Sequence, residues 1–360
     1  MLFDLFGGLL PGGDAWLHEE YHRAVMGNRG IDSFNDVYRF NLAASTIAVS
    51  HVSDSALVRL KATHPAEQVR LGEAGIEGEH LMIRRLEENR FFRDSHGNHI
   101  PLYWLTKINS IYYVMSGATP GADTLTDEMN AQDGANVSVR DFTGHDFTAW
   151  VYDLHRSAEP YAARGVHPSG VGIDRYIRFS DLTDEERTFL RHDGQLQLLN
   201  LLDPFLFGFE GIVVHEEAAG RSMLTANVAH YLTSFGHSID VNVLYRGNTR
   251  AMVTVRRYTN GARSFPGVEG TLVDFPVDVA GREMEVSPRV ALWLQPEDQA
   301  FRTTRSARGA LASVRVRPMA SAAFGPYVEV EAKTAGWVAG SVTLDAGVSF
   351  RFGGSLLLPQ

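Results

Sequence analysis

The eleven residues VTLDAGVSFRF, Val342 to Phe352, alternate without a break between apolar and polar side chains. Val342, Leu344, Ala346, Val348, Phe350 and Phe352 fall on one side, with Thr343, Asp345, Gly347, Ser349 and Arg351 on the other. A period of two is the signature of a strand whose two faces meet different surroundings. The pattern recurs upstream. Val328 and Val330 alternate with Glu329 and Glu331 inside Tyr327 to Lys333. Val241 to Tyr245 and Ala251 to Val255 flank Arg246-Gly247-Asn248-Thr249, a good hairpin turn. About eight strands are expected between Ser222 and Gly353.

Before residue 220 the period is helical. Helices are expected over Ala15 to Met26, with Asp14 as N-cap and Gly27 as stop, and over Ala66 to Asn89. Two more are expected near Leu182 to Leu190, capped by Asp181 or Thr183, and over Gln195 to Leu202. Gly117 to Gly172 is rich in Gly, Asp, Thr and Pro and reads as long loops interleaved with short helices. The expected organisation is therefore α+β: a mostly helical region over residues 1–219, then an antiparallel β-barrel over 220–360. A large antiparallel sheet has exposed edges, and closure removes them. A soluble sandwich is the alternative.

The chain has 360 residues, 44% hydrophobic and 21% charged, as expected of a globular protein. Its formal net charge of −10 repels phosphate backbones and disfavours nucleic acid as a partner. With no cysteine, a metal site must draw on His, Asp and Glu. The apolar stretches Leu102 to Ala118 and Leu196 to Val214 carry too many polar residues for spanning helices. The opening MLFDLFGGLLPGGD lacks the basic start and cleavage site of a signal peptide.

His18-Glu19-Glu20-Tyr21-His22 carries the chemistry. Helix positions four apart share a side, so both imidazoles can bind one Zn²⁺. Glu19, one residue after the first ligand, is placed to take a proton from the activated water. The segment resembles the zincin metallopeptidases, in the branch where a later helix supplies a glutamate. The matching stretch is Gly75-Ile76-Glu77-Gly78-Glu79-His80, after the small residue Ala74. The resemblance covers Asp14 to Asn89 and implies Zn²⁺ held by His18, His22 and Glu77, with a peptide or protein substrate. Glu79 and His80 are alternative ligands or groups that orient one. His145 and His167, in the polar clusters Asp141 to Asp146 and Gly165 to Pro168, are candidate stabilisers of a developing oxyanion.

Weaker signals have bland readings. His96 and His99 lie in a Gly/Asn/Asp turn, and His215-Glu216-Glu217 reads as polar linker. Arg84, Arg85, Arg90 and Arg93 read as a salt-bridged helix face. The final strand resembles the terminal strand of bacterial outer-membrane β-barrels, although Gly353 to Gln360 follow its last aromatic. That likeness implies membrane lipid as a partner, a location in the outer membrane or cell envelope, and interfacial roles for Trp293, Trp337, Tyr327 and Phe324. Two other functions remain open. One is a non-catalytic envelope protein in which the sheet is the working part; the other is a zinc-dependent lipid hydrolase.

Overall fold

The computed structural model describes residues 13–39, 47–93, 100–217, 220–319 and 324–356. His96 and His99 lie outside them. Seven helices precede the main sheet among the described residues: α1 (Asp14–Asn28), α2 (Asp54–Thr63), α3 (Pro65–Arg93), α4 (Ile100–Gly117), α5 (Gly121–Asp133), α6 (Asp146–His155) and α7 (Asp184–Leu196). A short ribbon, β1 (Phe34–Asn35) with β2 (Val49–Ser50), sits between α1 and α2. The expected loop region thus holds two full helices, α5 and α6.

Local chemistry accounts for several boundaries. Thr183 caps α7 with a capping box closed by Glu186, as its sequence suggests. Gly13, not Asp14, is the N-cap of α1. Pro65 opens α3, where a missing N–H costs nothing.

Ten strands follow: β3 (Ile212–Glu217), β4 (Gly220–Thr233), β5 (Gly236–Arg246), β6 (Arg250–Thr259), β7 (Ser264–Leu272), β8 (Phe275–Val279), β9 (Arg282–Pro296), β10 (Ser306–Pro318), β11 (Phe324–Lys333) and β12 (Gly347–Leu356). They form one antiparallel sheet in the order β12-β11-β10-β9-β7-β6-β5-β4-β3, with β7 and β8 pairing in succession along β9. The break between β7 and β8 falls at Asp274, whose φ is +50°.

The expected closed barrel of about eight strands is overturned. The sheet is open, and β3 and β12 pair only with β4 and β11 among the described residues. Its inner face packs on α3 instead of closing around a lumen. Arg84 of α3 pairs with Glu269 at 2.7 Å, Arg93 with Asp274 at 2.8 Å, and Asn227 donates to Glu87 at 2.8 Å. His215 to Glu217 belong to β3, so they are strand and not linker.

The last strand is also shorter than its alternation suggests. It begins at Gly347, and Trp337, Val338, Ala339 and Leu344 are buried in the core instead. The segment between β11 and β12 turns inward onto α3. Arg70 donates to the Ser341 carbonyl at 2.5 Å, Trp337 Nε1 to Glu73 at 2.9 Å, and the Leu344 amide to Glu67 at 2.9 Å. Three of the four expected interfacial aromatics therefore do not reach the outer surface. Trp293 and Trp337 are buried, and Tyr327 lines the cleft between sheet and α3.

Candidate metal centre

Helix α3 is the element against which the site is built. Gly72, Gly75 and Gly78 recur at spacings of three. A Cβ at Gly72 would press on Trp150 of α6, and one at Gly78 on Tyr21 of α1. A Cβ at Gly75 would overlap both His18 Nε2 and His22 Nε2. The glycines let α1 and α6 approach α3 from two sides, and Gly75 keeps open the space the two imidazoles face.

His18 and His22 are both buried there. His18 Nδ1 lies 2.8 Å from Glu79 Oε1, and His22 Nδ1 lies 2.7 Å from the Leu71 carbonyl oxygen. Both partners are acceptors, so each Nδ1 carries a proton and donates it. The Nε2 atoms are the ones that converge. His18 Nε2 is 3.1 Å, and His22 Nε2 3.5 Å, from Asp146 Oδ2 at the start of α6. Ligand atoms at about 2.05 Å from a tetrahedral Zn²⁺ are about 3.3 Å apart. His22 Nε2 is buried without a hydrogen-bond partner. The orphaned atom, the space held open by Gly75 and the N₂O donor set all fit a divalent zinc ion, with Nδ1 anchored as ligating histidines usually are.

The electrostatics centre on Asp146. Burial pushes its carboxyl up, but His22 and His18 outweigh this and hold it well below the usual range. Burial pulls His18 down, while Asp146 and Glu79 hold it well above its ordinary value. A cation bound here displaces that proton, so binding strengthens as pH rises. Glu19 is buried on α1, and desolvation raises its carboxyl well above the normal range, with His18 opposing and Asp146 adding to the shift. Tyr113 of α4 donates to Asp146 Oδ2 at 3.0 Å, and Ser110 donates to Glu79 Oε2.

The structure brings together His18, Glu19, His22 and Glu79 of the residues expected from sequence, and adds Asp146 and Tyr113. Glu77 is elsewhere. Its carboxylate is held by Arg70 at 2.8 Å, the Gly340 amide at 2.8 Å and Tyr21 at 3.4 Å. The reason is helical phase. Leu71, Gly75 and Glu79, four apart, form the face that meets α1, and Glu77 lies about 200° round from Gly75. His80 packs edge-to-face on Tyr231, 5.0 Å between centroids, in a separate small cavity. His145 caps α6 and stacks on Tyr113 at 4.8 Å, so it supports that ring from behind. His167 sits with Ser169 and Tyr176, away from these groups.

Asp193, His230 and His237 form a second buried group with metal-like separations. Its hydrogen bonds argue against ligation through His230. Asn200 Oδ1 accepts from the His230 amide at 2.8 Å, so Asn200 Nδ2 must donate to Gln197 Oε1, 2.8 Å away. Gln197 Nε2 is then a donor to His230 Nδ1 at 3.0 Å. The proton of neutral His230 is forced onto Nε2, which leaves that atom no lone pair to offer a metal. Asp193 Oδ2 and His230 Nε2 are also buried without hydrogen-bond partners, as His22 Nε2 is; what sets the α1 site apart is the space that Gly75 holds open between its imidazoles.

Searches against protein-family models, curated proteins and solved structures found no match to this chain.

Proposed function

We propose that the protein is a zinc-dependent hydrolase with His18, His22 and Asp146 as ligands and Glu19 as general base. The observation that carries this reading is the convergence of two Nε2 atoms and one carboxylate oxygen on the space beside Gly75. Zn²⁺ bound there would supply Lewis acidity, which makes water a competent nucleophile at neutral pH. Glu19 accepts the proton of the attacking water and returns it to the leaving group. Burial, the largest cause, raises the Glu19 carboxyl above its ordinary range, the direction that favours taking up a proton. Glu79 and the Leu71 carbonyl orient the imidazoles, and Tyr113 fixes the Asp146 oxygen that faces them.

The zincin-like spacing on α1 makes a peptide bond the first substrate to test. A lipid ester or amide is the second. Glu19→Gln keeps the size of the side chain and removes the base. Zinc content should stay at the wild-type level while hydrolysis of a peptide or lipid panel falls by about a hundredfold or more. Activity retained in Glu19→Gln rules out the assigned base.

A further inference from the structure

We propose that the outer face of the sheet from β5 to β12 is a lipid-contact surface, seated face-on against the acyl chains of a bilayer with α3 on the far side. The strand register distributes polarity in the opposite sense to a water-soluble sheet. One outward row runs from Val243 on β5 through Val253, Gly270, Val290 and Ala312 to Val348 on β12. The rows beside it carry Val241, Val255, Val268 and Leu292 on one side, and Val314, Val330 and Phe350 on the other. A further row adds Val316, Val328 and Phe352. None of these positions is charged. The inward rows between them hold Asp240, Arg256, Glu269, Arg289, Glu331 and Arg351, tied in ion pairs such as Arg256 to Asp240 at 2.8 Å and Arg289 to Glu269 at 2.8 Å.

Exposure is large where it matters. Val255 is 56% exposed, Phe350 68% and Phe352 84%. The face measures about 25 Å along the strands by 30 Å across them, well beyond the few hundred Å² of apolar patch common on soluble monomers. In water this arrangement is doubly unfavourable, since it exposes valines and desolvates charges. Against hydrocarbon the exposed valines become favourably buried, and the paired charges of the inner face are kept away from lipid.

The chemistry favours lipid over a protein partner. A protein interface carries about one hydrogen bond per 100–200 Å² and anchors of Arg, Tyr or Trp in pockets. The apolar rows themselves offer no hydrogen-bonding side chain; Tyr245 flanks them at one end, and Arg257 and Arg308 lie in the row at the other, where they would meet headgroups. An unpaired strand edge is costly in hydrocarbon. Contact is therefore by the face, with the edges of β3 and β12 at headgroup depth.

The chain has no cysteine, so single cysteines report cleanly. Full-length Val253→Cys, Val290→Cys and Phe350→Cys, and inward Asn242→Cys, Thr254→Cys and Ser313→Cys, are labelled with an environment-sensitive dye. They are then mixed with phosphatidylethanolamine–phosphatidylglycerol vesicles. The outward labels should shift to the blue and be quenched by brominated acyl chains, and the inward labels should not. The double variant Val253→Asp/Val290→Asp should reduce co-flotation with vesicles by about tenfold or more, while its circular dichroism stays that of the parent. No flotation by the parent chain, or equal quenching of both label sets, overturns the proposal. So does a monodisperse soluble oligomer whose outward labels are already dry without lipid, because the face would then be covered by a second copy.

Discussion

Asp146 shows how much a single side chain decides. Its Oδ2 faces two imidazoles and accepts from Tyr113, and no neighbouring residue in sequence signals that role. The approach of His18 and His22 was legible because both imidazoles and Glu19 lie in five consecutive residues of one helix. Asp146 was not, because it lies in a polar cluster where His145 is the more conspicuous metal-type residue. Buried carboxyls elsewhere give a separate prediction. Asp203 is packed with Glu87, Tyr103 and Lys107, and burial together with the Glu87 charge raises its pKa to about 9. The folded chain then holds a proton that the unfolded chain loses near pH 4. This contribution to stability is full below about pH 4 and is lost as pH rises towards 9. Asp203→Asn keeps the neutral shape, so its melting temperature should vary less between pH 5 and 8 than that of the parent. An unchanged slope would show that Asp203 is ionised in the folded protein.

At the scale of elements, α3 organises both halves. One face carries Gly72, Gly75 and Gly78 against α6 and α1; another carries Glu67, Glu73 and Glu77 against the segment before β12. The sequence places the helix and shows that small residues let α1 approach. It does not give the phase, and an error of two residues moves the expected ligand from Glu79's neighbourhood to Glu77. Gly75→Ala isolates the point. Alanine favours a helix by about 1 kcal/mol over glycine, yet its methyl would fill the space between the two Nε2 atoms. The variant should fold and bind zinc at least about tenfold more weakly. Wild-type zinc affinity in Gly75→Ala would place the ion somewhere other than beside α3.

At the scale of the whole molecule, period two marked the strands but not which side faces the interior. Alternation is the same whether charges point in or out. Only register, read across β4 to β12, shows that the valines share the outer face and the ion pairs the inner one. Closure was likewise beyond the pattern, because it depends on what fills the inside, and here that is α3 with the segment preceding β12. The same segment explains why Val342 to Ala346 alternate without being strand: they follow a turn at Gly340, whose φ is +89°, and are tied to α3.

The most direct test is the zinc content of untagged, full-length protein after dialysis against a fixed low zinc concentration, measured for the parent, Asp146→Ala and Glu77→Ala. The account predicts about one zinc per chain in the parent, loss of zinc in Asp146→Ala, and zinc retained in Glu77→Ala, with the cost of that change appearing as a lower melting temperature from the unpaired Arg70. Zinc retained in Asp146→Ala but lost in folded Glu77→Ala, or no zinc in the parent, would contradict it.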